Sequence, residues 1–186
     1  MKIFVPIFIA LTLVIVSCKK ETFAGFNENG LEFSTDSVIF DTIFSGIGST
    51  TKYFKVYNRS SEKIEISEIR LAKDIESKYQ INIDGKPSTF KTNVRLNGND
   101  SLYIFVNVTI NTDQDALLEQ DSIVFRIGEN TQDIKLLAWG QDVHLINNET
   151  ILTTTWTKDK PYLVYNSMLV DKNQVLKIEP GTKIYF

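Results

Sequence analysis

One cysteine, Cys18, and one histidine, His144, occur among 186 residues, so the chain has a single thiol and a single imidazole to offer to chemistry. A zinc site needs three or four ligands of these types, and a Cys/His or Ser/His nucleophile pair needs an imidazole against its partner. His144, alone after a strand-like stretch, reads as a structural or surface residue. The acidic pairs Asp113/Asp115 and Glu119/Asp121 carry the oxygen ligands calcium takes, but not the loop spacing of an EF-hand, and read as solvated faces. Gly46-Ile47-Gly48 lacks the third glycine and the lysine of a phosphate cradle and reads as a flexible turn. No catalytic residue, metal site or cofactor is therefore expected within these residues. A net charge of −3 with no basic stripe argues against nucleic acid as a partner.

Cys18 has its own setting. Lys2 opens the chain, and Ile3 to Val16 form an apolar run broken only mildly by Pro6 and too short for a permanent span, so residues 1–17 read as an export signal. Ile15-Val16-Ser17-Cys18 resembles the lipobox of bacterial lipoproteins: an aliphatic residue, a tolerant one, a small one, then cysteine. The resemblance implies cleavage before Cys18, lipidation (palmitate) of that residue, and a lipid-anchored place in the cell envelope, at the outer membrane on its periplasmic or surface face. Several acyl chains on one residue hold a protein far more firmly than one. The alternative is an ordinary secretory signal with an incidental cysteine.

With the only thiol used for lipid, no disulfide is available and the folded part must stand on burial. The composition, 42% hydrophobic and 11% aromatic, permits that. Lys19-Lys20-Glu21 and the polar run through Gly30 show little periodicity, so residues 18–36 are read as a tether. Charges directly after the cysteine resemble the surface-export signals of Bacteroidetes lipoproteins; a plain solvated linker is the other reading.

From Ser37 to Val143 the pattern becomes short alternating runs rich in Ile, Val, Phe, Tyr and Thr, the form of antiparallel strands with one buried face. Strands are predicted at Ser37–Ile43, Lys52–Asn58, Lys63–Leu71, Tyr79–Ile83, Leu102–Ile110, Asp121–Ile127 and Gln132–Trp139. Phe54 and Val56 should point inward, as should Leu102, Ile104, Val106, Val108 and Ile110, leaving Tyr53, Tyr103 and Phe105 on the outer face. The apolar parity slips between Ile66 and Ile69, which predicts a bulge or bend near Ser67. Asp84-Gly85, Asn97-Gly98 and Gly128-Glu129-Asn130 are turn signals, and Ala72–Lys78 and Asp113–Gln120 could each form a helical turn. The expected fold is all-β, an immunoglobulin-like β-sandwich over residues 37–143.

Phe40-Asp41-Thr42-Ile43-Phe44, Phe54-Lys55-Val56-Tyr57-Asn58-Arg59-Ser60, Ile64-Glu65-Ile66, Gly98-Asn99-Asp100-Ser101-Leu102 and Leu136-Leu137-Ala138-Trp139-Gly140 together resemble the Hydin-like, major-sperm-protein-like immunoglobulin domains. That resemblance implies a spacer or binding module.

Residues 144–186 change pattern again. Pro161-Tyr162-Leu163-Val164, Met168-Leu169-Val170 and above all the run from Val175 through Pro180-Gly181 to Phe186 resemble the first coils of right-handed parallel β-helices, with a Pro-Gly corner between two short strands whose Leu, Ile and Phe stack inside. Such a coil needs neighbours to bury its inner face. The stretch is therefore expected to be the start of a longer β-helix, truncated here; the alternative is a final hairpin packed back on the sandwich.

Asp36-Ser37-Val38, Asp41-Thr42-Ile43, Asp100-Ser101-Leu102 and Asp121-Ser122-Ile123 resemble the O-glycosylation sequon of Bacteroidetes envelope proteins, which marks Ser37, Thr42, Ser101 and Ser122; ordinary turn chemistry explains the same pattern. Asn58, Asn99, Asn107 and Asn148 stand in Asn-x-Ser/Thr. Two functions fit: a non-catalytic envelope lipoprotein whose sandwich presents a β-helix that binds glycan or another envelope protein, or the front part of a polysaccharide-degrading β-helix enzyme with its catalytic residues beyond residue 186.

Overall fold

Fifteen β-strands and one short 3-10 turn make up the described part of the computed structural model, residues 30–111 and 118–186. Cys18 and the Asp113/Asp115 pair lie outside those residues. The chain is all-β. Its first ten strands form a β-sandwich: β1 (Glu32–Phe33), β2 (Ser37–Phe44), β3 (Lys52–Tyr57), β4 (Ile64–Leu71), β5 (Tyr79–Ile83), β6 (Lys86–Ser88), β7 (Phe90–Leu96), β8 (Ser101–Val108), β9 (Leu118–Ile127) and β10 (Asn130–Gln141). One sheet runs β1-β3-β8-β5-β6 and the other β2-β10-β9-β4-β7, antiparallel except where β2 lies parallel to β10.

The alternation sets the core. Phe54, Val56, Leu102, Ile104, Val106 and Val108 are buried from one sheet, and Ile66, Ile69, Ile123, Phe125, Ile134 and Leu136 from the other. Rings bridge the layers: Phe125 meets Phe33 at 4.9 Å and Phe54 at 6.3 Å, and Phe40 meets Tyr79 at 6.1 Å. Leu31 is buried and β1 pairs with β3, so the sandwich begins before the expected boundary at Ser37 and takes in part of the predicted tether. A two-residue strand carries too little alternation to be seen in sequence. Strands β6 and β7 were likewise not expected. Both are sheet edges; Pro87 is at home on an edge strand, and only Val94 and Leu96 of β7 are buried.

No register shift marks the parity slip near Ser67. Ile66 pairs with Val94 and Glu68 with Thr92, so the β4–β7 register is unbroken, and Asn93, opposite Ser67, takes φ +54°. A true bulge lies in β2, where Phe40 pairs with Ala138 but Thr42 with Trp139, leaving Asp41 over. Asp84 and Gly85 both have positive φ between Ile83 and Lys86, as a two-residue hairpin of the mirror-image type requires. Of the two possible helical turns, Ala72–Lys78 contains the 3-10 turn Asp74–Glu76, whereas Leu118 to Gln120 begin strand β9.

After the sandwich the pairing becomes parallel. Strands β11 (His144–Ile151), β13 (Tyr162–Val170) and β15 (Ile184–Tyr185) lie side by side in that order, as do β12 (Thr154–Trp156) and β14 (Leu176–Ile178). Ile146, Ile151, Trp156, Tyr162 and Val164 form a second core, with Met168, Val170, Leu176 and Ile184 packed on it. The last two strands are no hairpin: each pairs with an earlier strand, and the corner between them has Pro180 followed by Gly181 at φ +88°, with Thr182 N–H donating to the Glu179 carbonyl. Of the residues expected inside, Leu176 and Ile184 pack on that core, while Ile178 and Phe186 are 47% and 93% exposed.

The two parts touch. Lys160 pairs with Asp142 at 3.1 Å, and Phe44 packs against Tyr185 at 5.0 Å.

Candidate functional site

His144 opens β11, directly after the sandwich, and its Nε2 lies 3.0 Å from Oδ2 of Asp159, in the turn between β12 and β13. Thr157 Oγ1 donates to the other carboxylate oxygen at 2.5 Å. These two contacts, the hydroxyl first, hold the Asp159 carboxyl down to about 2. The imidazole stacks on Tyr162 at 4.5 Å and Tyr162 on Trp156 at 4.2 Å, while Tyr162 Oη accepts from Thr157 N–H. The arrangement joins an imidazole to an acid, but the hydroxyl present is bonded to the acid and not to the imidazole, so no relay from nucleophile to base to acid is formed. It acts as a clasp across the start of the parallel strands, in keeping with a structural role for His144.

The Glu119/Asp121 pair is not a solvated face. Both residues are buried on β9. Asp121 accepts from Lys73 N–H at 3.1 Å, Ser122 N–H at 2.7 Å and Ser77 Oγ at 2.5 Å, and Glu119 pairs with Lys73 Nζ at 2.6 Å. The pair fastens the Asp74–Glu76 turn to the sandwich, since a buried carboxylate must have donors. Tyr79 donates to the Glu119 carbonyl, and burial pushes its phenol well above its ordinary range. No group of three or more metal-ligating side chains occurs among the described residues.

The four marked hydroxyls are spread over the sandwich. Ser37 donates to Asp36 at 2.9 Å; Ser101 and Ser122 are half-buried, each with its N–H held by the preceding aspartate. Thr42 is exposed, beside the Asp41 bulge. The Asn58 side chain is buried: its Nδ2 faces the carbonyls of Glu62, Leu96 and Asn97 at 2.8, 3.2 and 2.9 Å, and its Oδ1 accepts from Ser60 N–H. That side chain ties the β3–β4 loop to the β7–β8 loop and is closed to modification. Gly46 and Gly48 flank a turn packed beside Leu145 and Thr109.

The outer face of β3 and β8 gathers Tyr53, Lys55, Tyr103 and Phe105 through the pairs Tyr53 to Phe105 and Lys55 to Tyr103. The outward parity of the rings is readable in sequence; their convergence on one lysine depends on register between strands far apart in the chain.

These features define a β-sandwich continued by parallel strands. No family model matches the chain, and no curated protein matches it. Among solved structures it is similar to a family 123 glycoside hydrolase from Clostridium perfringens (9% identity, TM-score 0.42, covering 61% of this chain and 26% of that one). It is also similar to a protein of unknown function from Porphyromonas gingivalis W83 (9%, 0.40, 65% and 59%) and to the E. coli chaperone DraB (12%, 0.38, 60% and 55%). The chain thus spans about a quarter of the first and just over half of the others, and likenesses this distant carry no statement about activity or ligand.

Proposed function

We propose that the chain is a non-catalytic lipoprotein of the cell envelope, anchored through lipid on Cys18 at the outer membrane, in which an immunoglobulin-like sandwich of the Hydin-like kind serves as spacer and presents the first coils of a right-handed parallel β-helix to glycan or another envelope component. The observation that carries the reading is the stacking of residues 144–186. His144 to Asn147 pair with Tyr162 to Tyr165, Tyr162 and Leu163 pair on with Ile184 and Tyr185, and Thr154 to Trp156 pair with Leu176 to Ile178, all parallel. Side chains follow the same pairing: at the register shift between β11 and β13, Asn166 Nδ2 donates to Asn147 Oδ1 at 2.9 Å and Ser167 Oγ to Asn148 Oδ1 at 2.9 Å, and Thr153 bonds through N–H and Oγ1 to Gln174 Oε1. Repeated parallel pairing of successive short strands is how a solenoid buries its inner face, and crossovers between parallel strands are almost always right-handed. Thr42, exposed at a bulge, is the best placed of the four marked hydroxyls to carry a glycan.

The test is labelling with palmitate in a bacterial host, followed by fractionation. The chain should take up label and remain with the envelope membrane, and Cys18→Ala should lose both. Equal retention of a cleaved Cys18→Ala protein would overturn the anchor.

A further inference from the structure

The outer face of the β3–β8 pair carries more than scattered rings. Tyr53 is 61%, Tyr103 41% and Phe105 36% exposed, although they sit in the middle of strands. Tyr103 and Phe105 lie side by side with 17° between their planes and centroids 6.2 Å apart; Tyr53 stands 5.8 Å from the first and 5.9 Å from the second. Three rings in mutual contact form one continuous apolar surface. Lys55 Nζ lies 4.6 Å from the Tyr103 centroid. No ion pair to Lys55 occurs among the described residues; the outward positions of β3, β8 and β5 carry no Asp or Glu, and the outward acid of the neighbouring β1, Glu32, is paired with Arg59 at 2.8 Å. Tyr103, first through a side-chain hydrogen bond, moves Lys55 above its usual range. Lys55 is an ammonium set against an aromatic face with no acidic partner among the described residues.

We infer that this face binds an acidic glycan, the rings taking the C–H faces of sugar units while Lys55 meets a sugar carboxylate. The charge and the shape both favour that occupant. A single cation among rings is too little for a nucleic-acid backbone, which needs many. A second copy of the chain, docked face to face, would bring another Lys55, and the acid of its face, Glu32, is already paired with Arg59. A uronic-acid polymer supplies what the face lacks: flat C–H surfaces, hydroxyls for the phenol groups of Tyr53 and Tyr103, and an anion for the ammonium. The site belongs to the sandwich and depends on neither the lipid anchor nor the coil, so its failure and theirs are distinguishable.

Native affinity electrophoresis of the purified chain through gels holding polygalacturonate or alginate tests it, with neutral dextran and methyl-esterified polygalacturonate as controls. Both acidic polymers should retard the chain and the controls should not. Lys55→Gln should weaken retardation about fivefold, the scale of a surface cation on an aromatic face, and Lys55→Arg should keep it. Tyr103→Ala should abolish it. Lys55→Gln changes only a solvent-facing side chain, so its melting temperature should equal that of the parent and its result stands should Tyr103→Ala fold poorly. Lack of retardation by both acidic polymers, equal retardation by the neutral ones, or an unaffected Lys55→Gln overturns the inference. So does binding to phosphatidylglycerol vesicles, or self-association in sedimentation, without retardation by either polymer.

Discussion

Tyr162 lies flat on Trp156, with 9° between the ring planes and 4.2 Å between centroids. This stack joins the strand that opens one layer of the parallel region, β13, to the end of the short strand β12, and both rings are buried. Both rings belong to the second core. Trp156→Ala should therefore cost that region about 3 to 5 kcal/mol, the usual loss for removing a buried aromatic. Hydrogen exchange should quicken across residues 144–186 while Ser101–Val108 stays protected. Unchanged exchange in the parallel region would mean that the stack contributes little.

The sandwich offers a paired test of side-chain parity. Val106 is fully buried and Asn107 only partly. Val106→Asp places an unpaired charge in the core, which costs several kcal/mol against a total of about 5 to 15, and should abolish cooperative melting. Asn107→Asp should shift the melting temperature by only a few degrees. Similar damage from both would contradict the inward assignment.

Asn58 is a buried hub whose amide serves three carbonyls and whose oxygen serves one N–H. Asn58→Ala leaves those groups without partners and should cost roughly 2 to 3 kcal/mol in denaturant unfolding. Gly98, in the loop it holds, has no room for a Cβ, which would meet the Ser61 carbonyl. Gly98→Ala should destabilise the same loop pair. Neutral behaviour of both variants would show that the two loops are not coupled.

Acid should loosen the clasp at the start of the parallel strands. Asp159, bonded first by Thr157 and then by His144, is lowered from 3.8 to about 2. A carboxylate lowered on folding favours the fold fully above its ordinary value and loses that contribution as pH falls through the folded one. Exchange protection in 144–186 should be level from pH 7 to about 5 and decline from about pH 4 toward 2. In Asp159→Asn the decline should be shallower. An equally steep decline in that variant would remove Asp159 from the account.

Much of the sandwich was legible because strands with one buried face write their geometry as alternation. Leu102 to Ile110 alternate without a break, and every inward position there is buried. The Pro180-Gly181 corner was legible for a different reason, since proline fixes φ at one turn position and glycine tolerates the positive φ of the next. What escaped reading was structure without alternation: the two-residue β1, whose Phe33 packs on Phe125, and the edge strands β6 and β7, half of whose side chains face water. The Glu119/Asp121 pair read as solvated because, Ser122 N–H apart, its donors come from Lys73 and Ser77, more than forty residues away along the chain. Distance in sequence also hid the Tyr53, Lys55, Tyr103 and Phe105 cluster, where only cross-strand register brings the four together.

The central claim is that a self-sufficient sandwich carries a separate parallel unit. Thermal unfolding of a chain cut after Val143 tests it most directly. The sandwich core is drawn from residues 31 to 138, and the cut removes only packing at the junction, chiefly Tyr185 on Phe44 and Lys160 on Asp142. The shortened chain should still melt in one cooperative transition, lowered by a few degrees at most. Loss of the transition would show that residues 144–186 are part of one indivisible core, and the account of a spacer presenting a coil would have to be given up.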